Sequence, residues 1–309
     1  MKSAQHLRAA ALAVFLSALV LTSGYGQHAD HFRVGQYPAG MAFDGENIWI
    51  THQNCNGCPP KLTKLRAVDG VILGQFAVPS FTQNAVFDGT YVWVTDWQQG
   101  SHTVTRLRLD GTVEGTYEAG QGNPSGILFD GENIWTVSSV GYYLVKMRDS
   151  DASIIATYPL GIYGGSYHLT YDGENIWVAA FLDNSVFKVR ASDGTIIATF
   201  AVGQYPLGIV YDGTDIWVTS VLATSLYELS TNGDKLHRTK ISGGPGDVAF
   251  DGTHLWVTGY NDNTVIEVGL NGRILNTFRT GSEPNYLLYD GSSIWCSNFL
   301  QGSVTKIQR

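Results

Sequence analysis

Phe43-Asp44-Gly45-Glu46-Asn47-Ile48-Trp49-Ile50 returns in varied form six more times, at 87–94, 129–136, 171–178, 211–218, 250–257 and 289–296. Its aspartate recurs as Asp44, Asp88, Asp130, Asp172, Asp212, Asp251 and Asp290, at intervals that shrink from 44 to 39 residues. Seven of the eight tryptophans follow these aspartates by five residues: Trp49, Trp93, Trp135, Trp177, Trp217, Trp256 and Trp295. Short strands repeating at a period near 40, with turn residues between them, are the signature of propeller blades.

Four strands can be read in one unit. Residues 207–211 form strand a, Asp212-Gly213 turns the chain into strand b at 216–219, and 225–229 is strand c. The turn at Asn232-Gly233 leads to strand d, clearest one unit earlier at 196–202. Asp-Gly and Asn-Gly supply the positive φ that tight hairpin turns need. The ends complete the count. Residues 303–309 match strand c, so the seventh unit lacks its strand d, while Phe32-Arg33-Val34-Gly35-Gln36-Tyr37-Pro38 matches Phe200-Ala201-Val202-Gly203-Gln204-Tyr205-Pro206. The sequence therefore predicts one all-β domain over 27–309, a seven-bladed β-propeller of four-stranded blades. An N-terminal strand completes the last blade and closes the ring. The repeated tryptophans are expected between neighbouring sheets, and the aspartates in turns, since no partner ligands repeat with them.

Composition agrees. Only 15% of the 309 residues are charged while 36 are glycine, which excludes a coiled coil or a disordered chain. Residues 1–26 read separately: Lys2 and Arg8 flank the start of an apolar run at 9–21, and Ser23, Gly24 and Gly26 follow. This is the layout of a secretory signal peptide cleaved near Gly26/Gln27, an uncleaved anchor being the alternative. The expectation is a secreted or periplasmic monomer with no stable membrane insertion after cleavage. A net charge of −8 repels phosphate backbones and argues against a nucleic-acid partner.

Trp-Val-Thr, as in Trp217-Val218-Thr219, with Pro-x-Gly about ten residues before it and Asp-Gly between, resembles the YVTN family of β-propeller repeats. The chain is also similar to the streptogramin-lyase (virginiamycin B lyase) and NHL-type propellers and, more distantly, to gluconolactonases. That resemblance covers all of 27–309. It implies the propeller fold on a scaffold shared by binding proteins, lyases and lactonases. The lyase family would further imply a late-blade Glu-x-His pair with Mg²⁺. Here the matching stretch is Glu283-Pro284-Asn285, with asparagine at the histidine position, and His254 falls in an Asp-Gly turn on the opposite face.

Positions where the seven units differ are the candidates for function. Four residues before each repeated aspartate stand Gly40, Asn84, Gly126, His168, Gly208, Asp247 and Tyr286. Pseudo-sevenfold symmetry would gather Asn84, His168, Asp247 and Tyr286 around the channel mouth. Asn84, His168 and Asp247 could hold Ca²⁺, Mg²⁺ or Zn²⁺, or His168 could act as general base with Asp247 as its partner. Three residues after each tryptophan come His52, Asp96, Ser138, Ala180, Ser220, Gly259 and Asn298. His52, Asp96 and Asn298 are expected further out on the same face, as ligand contacts. One position on, Gln53, Trp97, Ser139, Phe181, Val221, Tyr260 and Phe299 include four aromatics. Trp97 and its neighbours suit a ligand with apolar faces.

Cys55 and Cys58 lie in the longest b–c loop and read as a local disulfide, while Cys296 occupies a strand-b core position. The function expected is binding of a small-molecule, carbohydrate or protein ligand at the channel mouth without catalysis. The alternative is a metal-dependent hydrolase or lyase that uses the Asn/His/Asp set.

Overall fold

The computed structural model describes residues 29–53, 57–98, 100–140, 143–161 and 165–308. The expected leader at 1–26 and Cys55 of the expected disulfide lie outside the described residues. The described chain forms seven four-stranded antiparallel sheets arranged as a ring. Six follow sequence order, and the seventh joins Pro284–Tyr289, Ser293–Asn298 and Ser303–Gln308 to Ala29–Arg33. Ala29 faces Ile307 and Arg33 faces Ser303, so the expected closure by an N-terminal strand is present. The strand-a segments, Pro38–Phe43, Thr82–Phe87, Pro124–Phe129, Ser166–Tyr171, Pro206–Tyr211, Pro245–Phe250 and Pro284–Tyr289, touch one another around the axis.

The repeated octapeptide fixes each blade through two bonds. In blade 1, Asp44 Oδ1 accepts the Asn47 N–H at 2.7 Å and closes the turn. Its Oδ2 accepts the Trp49 indole N–H at 2.8 Å. The same indole–carboxylate bond occurs in all seven blades. A buried indole needs an acceptor, and the five-residue spacing provides one from the turn. The aspartates therefore serve the turns, as expected, and also anchor the core tryptophans, every one 2% exposed or less. Only the glycine of each Asp-Gly pair takes positive φ, +96° at Gly45.

A cation on strand c latches five of the seven blades to the next. Lys64, Lys146, Lys188 and Lys306 lie 4.8–5.3 Å from the ring centroids of Trp49, Trp135, Trp177 and Trp295. Their ammonium groups donate to turn carbonyls of the following blade: Leu109, Ala191, Thr231 and Ala67. Arg106 does the same to Asp149 O in blade 3. Glu228 and Glu267 stand at this position in blades 5 and 6. In blade 5, Thr239 on strand d supplies the missing donor, reaching Gly272 O at 2.9 Å. Blade 7 has no turn joining strands c and d, so a lysine at Glu267 would have no carbonyl to reach.

Candidate functional site

Asn84, His168, Asp247 and Tyr286 line one cavity of about 150 Å³ on the channel axis, together with Met41, Ile127, Leu169, Ile209, Val248 and Leu287. Around the ring the seven variable positions alternate small and large: Gly40, Asn84, Gly126, His168, Gly208, Asp247, Tyr286. The glycines are required by packing. A Cβ at Gly40 would lie 2.6 Å from the Asn84 Cα, one at Gly126 2.6 Å from Tyr167 O, and one at Gly208 2.8 Å from the Asp247 Cα. Seven positions cannot alternate throughout, and with four large residues to three glycines two large ones must be neighbours: Asp247 and Tyr286.

The resulting geometry couples three blades. His168 Nδ1 lies 2.9 Å from Asp247 Oδ1, across the blade that carries Gly208. The imidazole packs on Tyr286 with ring centroids 4.9 Å apart. Asp247 Oδ1 also accepts the Val248 N–H, and Oδ2 accepts the Leu287 N–H of the next blade, both at 2.8 Å. Tyr286 is 5% exposed, accepts the Gln83 amide at 2.6 Å, and burial pushes its phenol pKa up. Asn84 Oδ1 accepts the Ala85 N–H at 2.9 Å, which turns the amide nitrogen away from that bond. No protein acceptor or donor meets Asn84 Nδ2 or His168 Nε2 among the described residues. No group of three His, Cys, Asp or Glu side chains able to hold a metal occurs among them either. The cavity's side-chain oxygens are already engaged by N–H groups.

The second set lies elsewhere. His52 is 3% exposed, and Asp96 and Asn298 are 0% exposed; each bonds to its own blade and not to a ligand surface. His52 contacts Gln36 O and Thr63 Oγ1 at 2.8 and 2.9 Å. Asp96 accepts the hydroxyls of Thr103 and Thr105, and Asn298 Nδ2 donates to Ser303 and Thr305. These side chains pack inward against strand c, which corrects the expectation that they stand further out on the loop face as ligand contacts.

Their burial makes a testable pair. Burial raises the Asp96 pKa to about 6 and lowers that of His52 to about 4. For Asp96 the folded state takes up its proton first as pH falls. Its contribution to stability is therefore lost as pH rises from 3.8 through about 6. For His52 the unfolded chain binds the proton first, so stability is lost as pH falls from 6.5 towards 4. Asn298 shows that an amide satisfies the same pair of hydroxyls in blade 7. Asp96→Asn should stabilise the protein by roughly 2–3 kcal/mol at pH 7.5 and by far less at pH 4, read from urea unfolding at both values. An equal shift at the two pH values would refute this account.

The third set does rim the loop face. In each blade the N–H of this residue donates to the carbonyl of the residue preceding strand a: Gln53 to Tyr37, Trp97 to Phe81, Ser139 to Asn123, Phe181 to Gly165, Val221 to Tyr205, Tyr260 to Gly244 and Phe299 to Glu283. This ladder sets aromatics side by side. Phe181 stacks on Tyr205 at 4.6 Å, and Phe299 packs tilted against Tyr37 at 4.9 Å. Trp97 is half-buried, and its indole nitrogen has no partner. Tyr260 donates to Glu283 at 2.5 Å, so the glutamate singled out above sits on this rim. His254 lies beside Glu267 at the opposite, turn face. Cys296 is buried and free, with its thiol pKa pushed up by burial.

Gln83, Tyr37 and Tyr205 were not singled out from sequence. The position preceding strand a, which opens on Pro in five of the seven units, carried the signal for the two tyrosines.

A seven-bladed propeller with a polar seat in its channel and an aromatic rim is the class that this fold defines. No family model matches the sequence, and no curated protein matches it. Solved structures do. A streptogramin B lyase structure superposes with a TM-score of 0.78 at 19% identity, covering 91% of this chain and 97% of that one. Virginiamycin B lyase from Staphylococcus aureus gives 0.78 at 21% identity, covering 91% and 99%. Kuenenia stuttgartiensis hydrazine synthase gives 0.78 at 16%, covering 89% and 96%. At these identities the likeness establishes the shared fold.

Proposed function

We propose that this protein is an exported, monomeric β-propeller, secreted or periplasmic, that binds a ligand at its channel mouth without transforming it. The observation that carries this reading is how the cavity's polar atoms are spent. Both oxygens of Asp247 and the oxygen of Asn84 hold backbone N–H groups, leaving Asn84 Nδ2 and His168 Nε2 for a ligand. A cavity of about 150 Å³ holds one polar group of a ligand, or about five waters at their liquid volume. The body of the ligand would rest on the rim, where Trp97, Phe181, Tyr205, Tyr37 and Phe299 offer ring faces suited to a carbohydrate or an aromatic small molecule. A protein presenting such a group would be held in the same way.

A second reading is favoured by one contact. The 2.9 Å approach of Asp247 to His168 Nδ1 is how a carboxylate orients a general base. On that reading the protein is a hydrolase or lyase, with Ca²⁺, Mg²⁺ or Zn²⁺ as a possible partner of Asn84, His168 and Asp247.

Trp97 reports on both. The other seven tryptophans are buried and bonded to aspartate, so a ligand on the rim perturbs Trp97 fluorescence first. Titration with a panel of oligosaccharides and aromatic lactones should give a saturable change that disappears in Trp97→Phe and weakens about tenfold or more in His168→Ala, with the ligand recovered intact. Conversion of the ligand, slowed at least about a hundredfold in His168→Ala and abolished by EDTA, would establish the second reading in its metal form. No saturable change with any compound would overturn rim binding of these classes.

A further inference from the structure

Two clefts, one between blades 7 and 1 and the other beside blade 1 towards the loop face, each hold a cation and, among the described residues, no carboxylate. One, of about 460 Å³, is lined by Arg33, Tyr37, Leu300 and Gln301 together with Gly35, Gln36 and Gln75. The other, of about 300 Å³, contains Lys61 and shares Gly35, Gln36 and Gln75 with the first. Clefts elsewhere differ: beside Arg66 and Lys306 stand Glu46 and Asp290, and beside Lys146 and Arg190 stand Asp130, Glu132 and Glu174. In a chain of net charge −8, acid-free clefts around two cations are the exception.

Lys61 is held there by the backbone. A Cβ on Gly35 would lie 2.7 Å from Lys61 Nζ, and Gly35 has φ +117°, so the ammonium fits over a residue that has no side chain. Burial lowers the Lys61 pKa, and no carboxylate compensates it. Its neighbour His52 is kept neutral by burial and supplies no counter-charge. Gln301 Oε1 accepts the Ser282 N–H at 3.1 Å, which leaves its amide nitrogen as a donor.

We propose that these adjoining clefts form one site for a sugar acid, separate from the channel. Arg33 and Lys61 take the carboxylate, the amide nitrogens of Gln36 and Gln301 and the side-chain oxygen of Gln75, whose nitrogen already donates to Val34 O, take hydroxyls, and Leu300 with Ile72 covers a C–H face. Cleft volumes of this size match small-molecule sites. Charge-assisted bonds to guanidinium and ammonium supply the specificity for a carboxylate over a neutral sugar.

Calorimetric titration tests this with D-glucuronate, D-glucose and acetate as probes. Glucuronate should bind saturably, weaken as NaCl is raised, and lose about tenfold or more in affinity in Lys61→Met and in Arg33→Met. Among the described residues neither side chain makes a hydrogen bond or ion pair, so both variants should melt like the parent. His168→Ala should leave glucuronate binding unchanged, which separates this site from the channel. Absence of glucuronate binding, equal binding of glucose, or unchanged affinity in Lys61→Met would overturn the proposal. Acetate binding as tightly as glucuronate would overturn its hydroxyl half. Loss of glucuronate binding in His168→Ala alone would move the ligand to the channel and overturn the separate site.

Discussion

Deleting residues 29–33 should lower the unfolding free energy by more than about 5 kcal/mol, enough to erase the stability of an ordinary domain. This strand completes blade 7 by pairing with Ser303–Gln308, and Phe32 packs 5.8 Å from Trp295. Phe32 is half-buried, and removing it costs part of the about 3–5 kcal/mol that a fully buried phenylalanine contributes. The deletion also strips the partner from the strand at Ser303–Gln308, leaving its backbone groups free to pair with another molecule. Urea unfolding should show a broadened transition at much lower denaturant, and size-exclusion chromatography should show self-association. A monomer that unfolds at the parent midpoint would mean that the ring does not depend on this strand for closure.

Gly70→Ala should cost roughly 2–5 kcal/mol, while Gly45→Ala should cost only about 1–2. Both glycines have positive φ, +73° and +96°. Nothing lies within 4 Å of a Cβ built on Gly45, whereas one on Gly70 would sit 2.1 Å from the Phe32 ring. The backbone penalty is shared, so the difference between the variants isolates the packing of the strand-d aromatic on the next blade's turn. Gly111, Gly194 and Gly233 stand in the same relation to Phe76, Tyr158 and Phe200. Paired melting curves decide the matter, and equal losses in the two variants would remove that packing as a ring-closing contact.

Much of this architecture was legible because repetition multiplies a weak local signal. One Asp-Gly before a tryptophan says little; seven, five residues apart within each copy, give the blade count, and the match of 32–38 to 200–206 gives the closure. The latch was present in the sequence too, as Lys64, Lys146, Lys188 and Lys306 opposite the tryptophans. Its meaning depends on the carbonyl each ammonium reaches in another blade. The exceptions Glu228 and Glu267 become intelligible only beside Thr239 and the missing turn of blade 7.

The candidate site divides in the same way. Alignment of the units brought out Asn84, His168, Asp247 and Tyr286, and they do converge. It ranked His52, Asp96 and Asn298 as ligand contacts by the same logic, yet these turn into their own blades. The register of strand a shifts where it begins, between Pro38 and Met41 in blade 1 and at matching places in the others. Hydroxyls from strand b fill the irregularity, as when Thr219 accepts the Gly208 N–H and Thr258 the Asp247 N–H. Simple alternation of faces fails in strand a across such a shift, while His52, Asp96 and Asn298 end strand b and turn to hydroxyls on strand c.

The sequence by itself determined seven blades, four strands in each, the tryptophan–aspartate pairing positions and the strand that closes the ring, because these rest on local pattern and its period. Tertiary structure alone decided which variable side chains meet. His168 reaches Asp247 across Gly208, where a Cβ would crowd the Asp247 backbone, and Asp247 adjoins Tyr286 because four large residues share seven places with three glycines. Contacts between residues 79 and 118 positions from one another depend on the radius and curvature of the closed ring, which no single repeat encodes.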